Sequence, residues 1–150
     1  MIRPEHNDGE EERDQRGADR VGQRLLGAME GTSGKPALST ASAILDALKA
    51  LGLKRIAMAT PYIDATNEKE RAYIERHGFA VSAIKGLGLG GSLEKIQKIS
   101  RVPPADVFAH AKSVDSPDAE ALLICCTDFG AAEVVQSLED ELGKPVITSN

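Results

Sequence analysis

From Gly34 onward the hydrophobic and polar positions of the chain switch between two periods. Residues 40–51 carry Ile44, Leu48 and Leu51 at helical spacing, with Ser39 or Thr40 placed to cap the first turn and Gly52 to stop the last. The next run, KRIAMAT at 54–60, is short, nearly all apolar and closed by Pro61, which predicts a buried strand. A second helix starts at Asp64 or Thr66, reaches His77 and ends at Gly78. A strand over 79–84 follows, then the glycine-rich turn GLGLGG at 86–91. Helices are predicted over 92–100 and 104–113, the second with proline in its first turn. Residues 119–125 form the most apolar strand, 131–142 a helix, and 146–148 begin a last strand.

Strand and helix thus alternate, which predicts an α/β domain: a parallel sheet with helices on both faces, in a Rossmann-like three-layer arrangement. Ligands of such sheets bind beyond the carboxyl ends of the strands. That rule selects Thr60-Pro61-Tyr62, the loop from Gly86 to Gly91, Cys126-Thr127-Asp128 and Thr148-Ser149-Asn150.

The beginning of the chain follows another pattern. Residues 1–24 are dense in charge and nearly free of large apolar side chains, too few to offset the entropy of ordering. A short amphipathic helix fits 21–29, where Val21, Leu25, Leu26 and Met29 share a side. The chain therefore divides into a disordered or weakly helical tail, 1–33, and an α/β domain, 34–150. Gly-Lys-Pro occurs at 34–36 and again at 143–145. A glycine that stops a helix and a proline that refuses to extend it account for both.

Composition narrows the functions. A net charge of -5 and the absence of tryptophan offer neither a basic footprint nor a stacking platform for nucleic acid. The two cysteines are adjacent, so they suggest neither a disulfide framework nor a zinc site. No apolar run approaches a membrane span, and the N-terminus has no hydrophobic signal core. A reducing, cytoplasmic location fits these features.

Three strand ends carry candidate chemistry. GLGLGG satisfies the dinucleotide pattern GxGxxG, but the acid that should end a following strand is missing: Asp106 falls in a predicted helix and Asp115 in a loop. A flexible loop over a site is the better reading. Tyr62, just past a strand and a proline, can donate its hydroxyl to an anion, and Asn67 lies in the first turn of the next helix. The bland reading has Tyr62 packed over the loop and Asn67 serving as a cap. In ALLICCTDFG at 121–130, strand alternation points Cys125 and Cys126 to opposite faces, so at most one faces a cleft. Cys126 is nearer the strand end and precedes a helix whose N-terminal amides favour a thiolate. The N–H groups of Thr127 and Asp128 can hold a carboxylate or an enediolate. Two buried structural cysteines are the alternative. The histidines add no constellation: His6 lies in the tail, His77 before a glycine, and His110 in a helix away from the strand ends.

Taken together, TPYID with the following Asn-Glu, then LLICCTD, then ELGKPVITSN resemble the maleate isomerase and arylmalonate decarboxylase branch of the aspartate/glutamate racemase superfamily. The resemblance runs from about Gly34 to Asn150. It implies one half of a pseudo-symmetric pair of α/β domains that enclose a small dicarboxylate, with no metal or organic cofactor. Cys126 would be the second-half catalytic cysteine and Tyr62 a ligand of the substrate carboxylate, with Asn67 and Thr127 beside them. It further implies cysteine-based isomerisation, racemisation or decarboxylation at the carbon next to a carboxylate.

The chain departs from the family in its first half. The first-half cysteine has no counterpart, and Gly31-Thr32-Ser33, which has the letters of the decarboxylase loop, abuts Gly34-Lys35-Pro36 without room for the intervening helix. The last strand should also lead into more protein. The second reading is therefore a truncated, non-catalytic single domain that binds a small carboxylate or needs a partner half. A homo-oligomer or a complementing half-protein would supply that missing wall.

Overall fold

The computed structural model describes residues 8–150, with side chains from residue 20 onward. The chain divides into two compact units, residues 1–43 and 44–150, each described separately. The first contains helix α1, Asp8–Ser33. The described part of the expected tail is thus continuous helix well beyond 21–29, as its many Glu, Arg, Gln and Ala residues favour by intrinsic propensity. Gly31, Thr32 and Ser33 form the last turn of this helix rather than a loop, with the Thr32 hydroxyl donating to Ala28 O at 2.8 Å. Gly34 follows at φ 64°, the left-handed conformation that ends a helix. Ser39 and Ser42 then bond reciprocally: Ser42 N donates to Ser39 Oγ at 3.1 Å and Ser39 N to Ser42 Oγ at 3.0 Å. This capping box starts α2, Thr40–Ala50.

The second unit is built on four parallel strands: β1 (Arg55–Thr60), β2 (Ala80–Gly86), β3 (Ala121–Ile124) and β4 (Val146–Thr148). Their order across the sheet is β2-β1-β3-β4. Helix α3, Asp64–Arg76, connects β1 to β2. Helices α4 (Leu93–Ile96) and α5 (Pro104–Val114) lie between β2 and β3, and α6 (Val135–Leu142) precedes β4. The helix expected over 92–100 is interrupted: α4 ends after one turn and a separate 3-10 turn covers Ile99–Arg101.

Alternation along the central strands sorts the core into two layers. Ala57, Ala59, Leu122 and Ile124 pack with Val107, Ala111 and Val114 of α5 and Leu138 of α6. Ile56, Met58, Ala121, Leu123 and Cys125 pack on the other face with Leu45 and Leu48 of α2 and Ile74 of α3. Burial on both faces is why β1 and β3 read as unbroken apolar runs. The second Gly-Lys-Pro serves this core. Gly143 caps α6 at φ 65°, and Lys144 donates to Asp115 Oδ1 at 2.9 Å and to Ser116 O at 2.8 Å, fastening the turn before β3.

Candidate functional site

From β1 the chain crosses to β2 on one side, and β3 with β4 lies on the other. Connections diverge from the carboxyl ends of β1 and β3, which is where a parallel sheet opens a crevice. Tyr62 lies two residues past the end of β1 and Cys126 two residues past the end of β3. The strands pair Ala59 with Ile124, and Cys125 N donates to Ala59 O at 3.0 Å, so the two chains leave the sheet side by side.

The adjacent cysteines separate as alternation requires. Cys125 is buried in the layer under α2 and α3, and desolvation pushes its thiol far up, which keeps it protonated. Cys126 is half-buried against the opposite layer. Its φ is 92°, the one positive φ outside glycine among the described residues. A side chain in this conformation costs about 1–3 kcal/mol and persists only where surrounding structure imposes it. Here Phe129 N donates to Cys126 O at 3.0 Å and closes a turn anchored by the fully buried Phe129 ring. No protein acceptor among the described residues takes the N–H groups of Cys126, Thr127 and Asp128. Consecutive free amides around a left-handed residue form a concavity suited to an anion.

Tyr62 is fixed from several directions. Its N–H donates to Thr60 Oγ1 at 3.1 Å, and that buried hydroxyl donates to Asn67 Oδ1 at 2.6 Å. Its carbonyl accepts Gly88 N at 3.0 Å, while Leu87 N donates to Thr60 O at 3.2 Å and Leu89 N to Pro61 O at 2.8 Å. The glycine-rich loop therefore spends the amides of Leu87, Gly88 and Leu89 on the Tyr62 turn. Gly86 is required for this approach: a Cβ there would stand 2.0 Å from Tyr62 O and 2.7 Å from Asn67 Nδ2. Burial first, then a side-chain hydrogen bond with Cys126, then the charges of Cys126, Glu70 and Cys125 hold the Tyr62 phenol far above its ordinary value. Tyr62 therefore stays a hydrogen-bond donor at any ordinary pH.

Of the residues singled out in the sequence, Tyr62 and Cys126 meet. Asn67 stands behind them, 3 % exposed, and supports the Tyr62 turn through Thr60; it is not the helix cap, a position held by Ile63. Thr127 is exposed at the rim, and its carbonyl accepts Asn150 Nδ2 at 2.7 Å. Asn150 also accepts Ala131 N and the Thr148 hydroxyl, each at 3.0 Å, which ties the Cys126 loop to the end of β4. Beside it Ser149 Oγ is the buried side-chain polar atom without a partner among the described residues.

Two neighbours were not anticipated. Glu70 falls with Asn67 and Ile74 on the inward stripe of α3, and burial raises its carboxyl above the ordinary value. Its spacing from two inward residues was the available signal. His110, expected away from the strand ends, reaches them: Nε2 lies 3.0 Å from Thr60 O and 3.1 Å from Lys85 O. Its place among Val107, Ala111 and Val114 on α5 marks the buried stripe, but the reach to β1 and β2 depends on the crossing of α5 over the sheet.

The fold and this crevice define a parallel α/β domain that presents a cysteine and a tyrosine at its topological switch point. A family model described as arylmalonate decarboxylase matches residues 15–150, and the chain belongs to that family. A maleate isomerase of Nocardia farcinica is 35% identical over 121 residues, covering 79% of this chain and 47% of the relative. The arylmalonate decarboxylase of Bordetella bronchiseptica is 29% identical over 126 residues, covering 84% and 52%. Among solved structures, a Nocardia farcinica maleate cis-trans isomerase mutant with a covalently bound succinylcysteine intermediate superposes with a TM-score of 0.74 at 30% identity, covering 85% of this chain and 53% of that one. The chain spans about half the length of the curated relatives it matches. Among the described residues, no helix is long and apolar enough to cross a membrane.

Proposed function

We propose that this domain carries out, or contributes one wall to, cofactor-independent cysteine chemistry at the carbon next to a carboxylate of a small dicarboxylate. The observation that carries the reading is Cys126: a half-buried thiol in a left-handed turn at the switch point, beside the Tyr62 hydroxyl and below three unclaimed amides. The related maleate isomerase with its succinylcysteine intermediate supports a thiol that bonds to substrate.

For cis-trans isomerisation, the Cys126 thiolate adds to one alkene carbon, forming a C–S bond and moving the π pair toward the far carboxylate. The amides at 126–128 and the Tyr62 hydroxyl stabilise that enediolate. Rotation about the new single bond follows, and return of the electron pair expels the thiolate from the trans product. For decarboxylation, the C–C bond to the departing CO2 breaks, its pair forms an enediolate with the remaining carboxylate, held by the same donors, and the Cys126 thiol gives a proton to the carbon. Water returns the proton to sulfur. Neither course needs an external oxidant or reductant.

The incomplete coverage of the relatives favours a second reading, in which the isolated chain binds a small carboxylate without turnover until a partner half completes the cleft. Removing one of two cooperating groups costs orders of magnitude in rate. Assays with maleate, an arylmalonate and aspartate, and equilibrium titration with succinate, separate the readings. Turnover abolished by Cys126→Ala supports catalysis; saturable succinate binding without turnover supports the binding half. Full turnover in Cys126→Ala would discard the mechanism.

A further inference from the structure

We propose that His110 is a positioning residue which holds the loops of Tyr62 and Cys126 in mutual register from beneath the crevice. It is 7 % exposed and belongs to α5, yet one ring touches the ends of β1 and β2 and the loop that follows β3. Thr60 O, at the end of β1, and Lys85 O, one residue before the end of β2, lie 3.0 and 3.1 Å from Nε2. Both are acceptors, so Nε2 carries the proton and shares it between two carbonyls. Those residues are near-opposite in the ladder, where Ala59 pairs with Lys85 and Thr60 with Gly86. His110 therefore closes the β1–β2 pair at the place where the strands give way to the Tyr62 turn and the glycine-rich loop.

The third contact reaches the cysteine. The Phe129 ring stands edge-on to the imidazole, with centroids 6.3 Å apart and planes at 70°. Phe129 is fully buried, and its N–H closes the turn on Cys126 O. Displacement of the His110 ring would thus move the Tyr62 turn through Thr60 and the Cys126 turn through Phe129. A histidine serving only to fill the core would need no donor aimed between two strand-end carbonyls.

This role rests on the proposed function only for its purpose; the positioning is readable without turnover. The chain has two tyrosines, so a protein carrying 13Cζ-tyrosine gives two signals, assigned with Tyr73→Phe. Cys126→Ala provides the reference shift for Tyr62 without its thiol neighbour. His110→Phe keeps the ring but removes the donor, whereas His110→Gln places an amide N–H near the original Nε2. The Tyr62 signal is expected to move toward the Cys126→Ala position in His110→Phe and to return in His110→Gln. A folded His110→Phe with the wild-type Tyr62 signal would overturn the proposal. If that variant does not fold, the wild-type protein decides: 15N imidazole spectra at neutral pH must show His110 as the Nε2–H tautomer, and the Nδ1–H form overturns it. Loss of positioning and loss of chemistry remain distinguishable, since the second is read from turnover or succinate binding in Cys126→Ala.

Discussion

Tyr62 and Cys126 each lie two residues beyond the end of adjacent parallel strands, and the thiol stands near enough to the phenol to help hold it above its ordinary pKa, after burial. Both side chains thereby escape the sheet at its one point of divergent connections. The neighbouring Cys125 belongs to the core instead.

That difference predicts selective alkylation. Iodoacetamide at neutral pH should modify Cys126 in the folded protein and leave Cys125 unmodified until denaturant is added, because Cys125 is 5% exposed and held protonated by burial. Fragmentation mass spectrometry locates the adduct. Equal labelling of both residues under native conditions would contradict the separation.

The left-handed Cys126 backbone predicts an inverted stability order. Cys126→Gly should be more stable than Cys126→Ala by about 1 kcal/mol, since both lose the thiol but only alanine retains a Cβ at φ 92°. Urea midpoints measure this. An alanine variant as stable as the glycine variant would show that the turn relaxes without cost.

Gly86 should tolerate no side chain. The Cβ of Gly86→Ala would overlap Tyr62 O at 2.0 Å, and because that neighbour is backbone, the turn itself must shift, at a cost of about 2–3 kcal/mol. Gly130, with open space around its Cβ position and no positive φ, is the control. Gly130→Ala should stay within about 0.5 kcal/mol of wild type. Thermal and urea denaturation of the pair test the contrast.

Glu70 predicts a pH dependence. Burial raises its carboxyl in the folded state, so the folded protein holds that proton to higher pH than the unfolded chain. The stability contributed is complete below the unfolded value near 4.5 and is lost as pH rises through the folded value. Glu70→Gln carries no such loss. Its stability relative to wild type should increase from pH 4 upward and then level off. Parallel pH slopes for the two proteins would remove Glu70 from the buried wall.

Much of the architecture was already written along the chain. The apolar runs at KRIAMAT and ALLIC, separated by helical spacing and glycine stops, determined a parallel sheet with helices on both faces, because only such burial accepts strands apolar on both sides. Alternation also separated Cys125 from Cys126. The sequence does not decide where α5 crosses the sheet, and that crossing is what brings His110 to the strand ends it joins. Nor could local pattern foresee that the amides of GLGLGG would close on the backbone of the Tyr62 turn, or that Glu70 would share a wall with Tyr62 and Cys125. Periodicity along one segment specifies which face turns inward. What that face meets is determined by strand order and helix crossing, and these follow from packing between residues far apart in the chain.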